Sequence, residues 1–177
     1  MKKLSIIVPV YNEINTLEVI IKQLIDLKLY QDVTKEVIII DDFSTDGSSD
    51  IIKKYETDYK FIKAFYKKNN KGKGDSQKIA KQFVTGDYVI IQDADLEYDP
   101  QDINKLLRIA LDEKKDFVIG HRIMKTSIKH PYFYFRELAV NTLTLLLNTL
   151  YGTSIKDCAC CYRLFESNLW KNINGNA

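Results

Sequence analysis

The sequence predicts an α/β fold, a mainly parallel sheet with helices on both faces. Short, continuous apolar runs at residues 4–10, 37–40 and 88–92 are the length of strands buried on both sides. Between them lie stretches whose apolar residues recur at helical spacing, the alternation that builds parallel sheets. Polar clusters then follow the runs directly, where such sheets bind ligands.

Taken in order, residues 4–10 form the first strand. Asn15 with Glu18 three residues on reads as a capping box, ahead of Leu17, Ile20, Ile21 and Leu24 on one helical face. Residues 37–40 form a second strand ending in Asp41-Asp42, and residues 43–49 are rich in turn formers. Ile51, Ile52 and Tyr55 mark a short helix, and residues 61–66 a third strand. A basic, glycine-containing loop at 67–74 precedes a helix carrying Ile79, Ala80 and Phe83 and stopping at Gly86. Residues 88–92 run straight into Asp93-Ala94-Asp95. Asp99-Pro100 is a cap with proline at the first helical position, followed by the stripe Ile103, Leu106, Leu107, Ala110 and Leu111. Residues 117–120 make a fifth strand.

Residues 132–151 are different: Glu137, Asn141, Thr144 and Asn148 form one polar stripe on an otherwise apolar helix. Two readings stand, a helix buried against the sheet and one lying at a membrane interface. The basic stretch just before it favours the interface, with Arg122, Lys125 and Lys129 drawing an anionic head group.

Composition sets limits. A chain of 177 residues, 45% hydrophobic and 28% charged, fits a single domain spanning 1–177. A net charge of +2 gives no electrostatic footprint for nucleic acid. Cys158, Cys160 and Cys161 read as reduced thiols of a cytosolic protein, and a zinc site would need a fourth ligand that His121 and His130 do not supply at any usual spacing. Pro9 and Asn12-Glu13 cut the N-terminal apolar run too short for a signal peptide, and no run is long enough to span a bilayer.

Asp93 and Asp95 carry the strongest chemical signal. Two carboxylates one residue apart at a strand end suit one hard cation, Mg²⁺ or Mn²⁺, with its bound phosphates. Glu13, Asp41 and Asp42 also close strands, where carboxylates accept hydrogen bonds from ribose or base; turn capping is the competing reading, favoured for Asp46. Loop 67–74 lacks the glycine–lysine–serine spacing of a nucleotide triphosphatase, and its Gly-x-Gly is weak as a dinucleotide signal.

Together these residues resemble the family 2 glycosyltransferases of the GT-A fold, nearest the branch acting on polyprenol phosphates (dolichol-phosphate mannosyl- or glucosyltransferases). The likeness lies in Ile6-Ile7-Val8-Pro9-Val10-Tyr11-Asn12-Glu13, Asp41-Asp42-Phe43-Ser44-Thr45-Asp46-Gly47-Ser48, Asn70-Lys71-Gly72-Lys73-Gly74, Gln92-Asp93-Ala94-Asp95-Leu96-Glu97-Tyr98-Asp99-Pro100 and Gly120-His121-Arg122. The resemblance implies that Pro9, Tyr11, Glu13 and Asp42, with Asp41, Lys73 and Ala94 beside them, hold a nucleotide sugar, a GDP- or UDP-sugar. It implies that Asp93 and Asp95 hold the diphosphate through the metal, with Glu97, where relatives have glutamine, as a further ligand. Arg122 matches an arginine associated with the phosphates, Arg163 and Lys125 fall to the acceptor side, and Asp157 is the candidate base. The chain departs from the pattern at Phe43, where glycine is usual, at Asp75, where a small residue is usual, and in stopping soon after Trp170, as a truncated domain would.

The expected activity is inverting transfer of a sugar to a polyprenyl phosphate at the cytoplasmic face of a membrane. A saccharide or cell-wall hydroxyl acceptor is the alternative, as is a module that binds the nucleotide sugar without turnover.

Overall fold

The structure, a computed structural model, describes residues 1–120 and 131–173, with the backbone alone at 131–134 and 136. Strand β1 (Lys3–Val10) leads to helix α1 (Leu17–Asp26), then β2 (Thr34–Asp41), α2 (Ser48–Asp58) and β3 (Ile62–Tyr66). Helix α3 (Lys73–Ala80), β4 (Tyr88–Ile91), α4 (Ile103–Asp112) and β5 (Phe117–Ile119) follow. Helix α5 (Pro131–Tyr151), β6 (Arg163–Glu166) and α6 (Ser167–Asn172) follow, and short 3-10 turns lie at Tyr30–Asp32 and Pro100–Asp102.

One six-stranded sheet runs in the order β3-β2-β1-β4-β6-β5. The first four strands are parallel, and β6 lies antiparallel between β4 and β5. The chain builds outward from β1 on one side, then returns to add β4 on the other. That reversal opens a crevice at the carboxyl ends of β1 and β4, where open α/β sheets bind ligands.

The apolar run of β1 divides by pleat between two cores. Leu4, Ile6, Val8 and Val10 join Leu17, Ile20, Ile21 and Leu24 of α1 and the α4 stripe Ile103, Leu106, Leu107 and Ala110. Ile7, with Ile38, Ile40 and Val89, packs on the opposite face with Ala80 and Trp170. Helices therefore do cover both faces. Each fully buried leucine or isoleucine contributes about 1.5–3 kcal/mol against leaving it in water.

At the amino ends of the strands, Glu36 of β2 is buried, ion-paired to Lys3 Nζ (2.8 Å) and bonded by Ser5 Oγ (2.6 Å) and by Thr85 N and Oγ1 (2.8 and 2.7 Å). Burial works to raise its pKa; the bonds from Lys3, Ser5 and Thr85 prevail and hold it down to about 2.

Several local expectations are corrected. Residue 16, not Asn15, precedes α1, and Thr16 Oγ1 bonds the Glu13 carboxylate (3.0 Å); Glu18 accepts from Tyr55 instead of closing a capping box. Helix α3 ends at Ala80 and passes through turns at 81–83. Gly86 does not cap it: a Cβ there would lie 2.6 Å from Ser5 Oγ and 2.8 Å from Lys3 O, so Gly86 lets its strand approach β1. Strand β6 was not anticipated.

Helix α5 is not a buried core helix in the described chain. Phe135, Leu138, Leu145, Leu146, Leu150 and Tyr151 are exposed, whereas Thr144 of the polar stripe is buried. Thr144 Oγ1 accepts from Cys158 N (3.3 Å), and Asn148 exchanges bonds with Ile155 N (2.9 Å) and Ile155 O (2.8 Å). The helix thus meets the following turn through its polar side and turns its leucines outward.

Candidate functional site

The crevice at the β1–β4 reversal is a cleft of about 300 Å³ lined by Pro9, Val10, Tyr11, Glu13, Asp42, Lys73, Ser76, Asp93, Ala94 and Asp95. Every nucleotide-sugar residue expected from the sequence is here except Asp41, and Asp95 joins them. Val10 and Ser76 were missed. Val10 closes the first strand, so strand position signalled it; Ser76 sits in the first turn of α3, and its burial carried no sequence signal.

The cleft's first wall is two loops tied together. Asn12 takes a left-handed backbone (φ 56), which turns the chain after β1. Its N–H donates to Ser44 Oγ (3.0 Å), while its Oδ1 accepts from Thr45 N (2.8 Å). Glu13 N donates to Ser48 Oγ (3.0 Å) and Ile14 N to Asp46 Oδ2 (2.9 Å). Asp46 also accepts from Ser48 N and Oγ (2.9 and 2.7 Å), the capping role expected of it. Burial opposes its ionisation, yet those bonds keep its pKa below the usual carboxylate value. Phe43, at the position where glycine is usual, is forced to φ 67 and left half exposed.

Asp41 and Asp42 divide their duties. Asp41 is buried away from the cleft, with Oδ1 accepting from Ser44 N (3.1 Å) and Oδ2 from Ser49 Oγ (2.5 Å). It builds the 43–49 turn and does not line the cleft. Asp42 faces the cleft and also anchors the glycine loop, accepting from Lys71 N (3.0 Å) and Gly72 N (2.7 Å). Lys67 Nζ, buried behind it, lies 2.5 Å from Asp42 and 2.6 Å from Asp75. Burial disfavours that ammonium, but its bonds to the two carboxylates raise its pKa above the ordinary lysine value. Asp75, the second departure from the family pattern, thereby balances the charge behind Asp42.

The acidic loop differs in form from the strand end the sequence implied. Strand β4 stops at Ile91, and residues 94–98 form a bend with Leu96 at φ 64. Asp93 and Asp95 still open on the same cleft, and Lys73 at the start of α3 ion-pairs with Asp93. Glu97 does not join them: it is exposed, its N–H is donated to Asp95 Oδ1 (2.9 Å), and no cluster of three metal-ligating side chains forms among the described residues. The reversal at Leu96 breaks the alternation that would have aligned Glu97 with the aspartates.

Of the expected acceptor residues, the structure describes Arg163. Arg122 and Lys125, like Lys129, lie outside the described residues. Arg163 opens on a neighbouring cavity of about 490 Å³ shared with Lys73, Lys78 and Lys81, and donates to Cys160 O (3.0 Å) and Cys158 O (2.7 Å). Asp157 lines neither of these two cavities; it is buried, and its Oδ1 accepts from Ala159 N (2.9 Å), a bond that shapes the turn. The three cysteines are free thiols, and burial raises the pKa of Cys161.

The family model described as Glycosyl transferase family 2 matches residues 5–172. The chain belongs to glycosyl transferase family 2. Among curated relatives, it is 29% identical over 173 residues to the undecaprenyl-phosphate 4-deoxy-4-formamido-L-arabinose transferase of Pectobacterium carotovorum subsp. carotovorum (strain PC1), covering 96% of this chain and 50% of the relative. It is 26% identical over 171 residues to the enzyme of the same name from Yersinia enterocolitica, again over 96% and 50%. The chain thus spans about half the length of the curated relatives it matches.

Among solved structures, this family 2 chain aligns with a mannosyltransferase from Pyrobaculum calidifontis in complex with GDP-Man and Mn²⁺, with a TM-score of 0.70, 20% identity, and coverage of 98% of this chain and 47% of that one. It aligns with glucosyl-3-phosphoglycerate synthase from Mycobacterium tuberculosis in complex with Mn²⁺, UDP and phosphoglyceric acid, with a TM-score of 0.69, 19% identity, and coverage of 95% and 57%. At these identities the likeness establishes the GT-A fold.

Proposed function

We propose that this family 2 chain is the nucleotide-sugar half-site and reaction centre of a glycosyltransferase that moves a sugar from a GDP- or UDP-sugar to a polyprenyl phosphate. The observation that carries the reading is the convergence of Pro9, Tyr11, Glu13, Asp42, Lys73, Asp93, Ala94 and Asp95 on one cleft at the sheet's reversal point. The curated relatives' names supply the acceptor class.

The residues present fit a divalent cation. Two carboxylates open on the cleft, and a lysine ammonium already pairs with one of them, marking a place where positive charge is stabilised. A cleft with only two such carboxylates would suit Mg²⁺ or Mn²⁺ bound together with a diphosphate. Asp93 and Asp95 would hold it, and it would supply neutralisation of the diphosphate leaving group. Titration with each ion separates Mg²⁺ from Mn²⁺.

The chain's own residues do the rest. Pro9, Tyr11 and Glu13 shape the pocket for the nucleoside, with Asp42 offering its carboxylate from the floor. Lys73 is placed to exchange Asp93 for a phosphate oxygen. A phosphate oxygen of the acceptor attacks the anomeric carbon opposite the diphosphate; a carbon–oxygen bond forms as the bond to the diphosphate breaks, and the configuration inverts. The attacking phosphate is already anionic, so positioning and electrostatic stabilisation suffice without a strong base. A hydroxyl acceptor, by contrast, needs a base beside it.

The outward leucines of α5 support peripheral attachment to the cytoplasmic face of a membrane, the apolar side resting in the interface. No described helix is long and apolar enough to cross a membrane.

Calorimetry with UDP, GDP and their sugars, with and without Mn²⁺, tests the donor site and names the base. Transfer of labelled sugar to a polyprenyl phosphate, but not to free saccharides, tests the acceptor. Tight nucleotide binding with no transfer in any longer form of the protein would reduce the chain to a binding module. Flotation with anionic vesicles at low salt tests the attachment, and a chain that stays unbound removes it.

A further inference from the structure

Gln92, the residue before the acidic pair, is wholly buried at the end of β4, and no step of the proposed reaction uses it. Its Nε2 donates to Asp93 O (3.0 Å) and to Tyr98 O (3.1 Å). Its Oε1 accepts from the hydroxyl of Tyr162, a residue seventy positions later in the chain. Only this amide orientation works, because both backbone partners are carbonyls and accept only. The 93–98 segment therefore leaves and returns to a single side chain, with Leu96 making the reversal at its apex. Glu97 N–H, donated to Asp95 Oδ1, orients one of the two cleft carboxylates from within the ring.

The segment before β6 grips this ring from behind. Tyr98 and Tyr162 stack with centroids 4.7 Å apart. Tyr98 Oη accepts from Cys161 N (3.1 Å), and Tyr162 Oη lies 3.1 Å from Asp99 O. Both rings are buried, so every polar atom in the network needs its partner.

We infer that Gln92 and Tyr162 are positioning residues for the cation, holding the 93–98 loop in the one shape that carries Asp93 and Asp95 together into the cleft. The inference rests on the metal reading above. A carboxylate pair on an unsupported loop must be ordered at the moment of binding, and that ordering weakens affinity. Partners that orient metal ligands typically matter by about 10- to 100-fold in metal affinity.

The experiment compares Tyr162→Phe, Gln92→Glu and Gln92→Met with Tyr55→Phe. Tyr55 is the matched control: its buried ring also donates one hydroxyl bond, to Glu18 Oε1 at 2.9 Å, but on α2 and away from the loop. Mn²⁺ is titrated with UDP or GDP present, and hydrogen exchange is followed across residues 93–98. Tyr162→Phe should weaken Mn²⁺ by about 10- to 100-fold and speed exchange within 93–98, while Tyr55→Phe changes neither at a similar loss of thermal stability. Gln92→Glu should be worse than Gln92→Met despite its closer shape, because it sets a charged acceptor against two carbonyls. Unchanged Mn²⁺ affinity and unchanged exchange in Tyr162→Phe would overturn the inference and leave the network a purely structural bond set. A wild-type protein that binds nucleotide but no Mn²⁺ would sink the metal reading by itself, and the exchange data would still decide whether Tyr162 holds the loop. If the Gln92 variants fold poorly, Tyr162→Phe, which removes a single oxygen, carries the test.

Discussion

Replacing Glu36 by glutamine removes one charge from a buried cluster that fastens the amino ends of β1 and β2 to the start of β4, at the end of the sheet opposite the cleft. Its carboxylate has a pKa of about 2 against an ordinary 4.5, because Lys3, Ser5 and Thr85 bond the ionised form more than burial penalises it. A depressed folded-state pKa means that the folded protein binds fewer protons than the unfolded chain between those two values. The stabilisation is therefore fully present above pH 4.5 and is lost as the pH falls toward 2. A shift of this size corresponds to on the order of 3 kcal/mol at neutral pH. Urea unfolding of wild type and Glu36→Gln, followed by far-ultraviolet circular dichroism from pH 7 to 2.5, measures it. The other carboxylates titrate in both proteins, so they largely cancel in the difference. The gap between the two proteins should be widest at pH 6–7 and close by most of that amount near pH 2.5. A gap that stays constant across the range would refute the reasoning, since the cluster would then stabilise through shape alone.

Other perturbations have equally definite outcomes. Asp95→Asn should keep the thermal transition of the wild type and lower sugar transfer at least about 100-fold, as expected when charge compensation for a leaving diphosphate is removed; full activity with unchanged metal dependence would remove Asp95 from the site. Phe43→Gly relieves a left-handed strain of about 1–2 kcal/mol and incurs about 0.5–1 kcal/mol of extra chain entropy. The variant should therefore unfold at slightly higher denaturant, and a clear loss of stability would show that the half-exposed ring contributes packing. Gly86→Ala forces a methyl against Ser5 and the β1 backbone and should destabilise by about 1–3 kcal/mol in the same denaturation assay; a neutral result would mean the strands can separate freely there.

Much of the fold was legible because the signals were local. Runs such as residues 37–40, with turn formers beyond them, identify buried parallel strands, and the motifs at their ends fall together once the sheet order is known. The misreadings have physical causes. Strand β2 ends between Asp41 and Asp42; the pair was readable, but the bonds that turn Asp41 to the 43–49 turn and Asp42 to the glycine loop come from residues no local pattern ties to them. Arg163–Glu166 is too short to show a period, so β6 was invisible. The stripe of α5 was identified correctly, but periodicity says only that two faces differ. It does not say which face meets the protein, and the bonds of Thr144 and Asn148 decide it. Gln92 was placed in its strand, but its role was hidden for a related reason, since its partner Tyr162 lies seventy residues on and no local pattern links the two.

The placement of β6 bears on how the protein comes to be active as it is made. Pairing of β1, β2 and β3 involves neighbouring stretches of chain, so that half of the sheet can zip up while the rest is still being synthesised. Strand β4, by contrast, lies bare along one side until residues 164–166 arrive to pair with residues 88–90. Until then it is an open edge, prone to pairing with other chains. The same late arrival brings Tyr162, so the bond from Tyr162 to Gln92 forms only in the step that seals the sheet. A nascent chain released before Leu164 would carry every residue of the cleft with one edge of β4 still unpaired, an edge open to pairing with other chains.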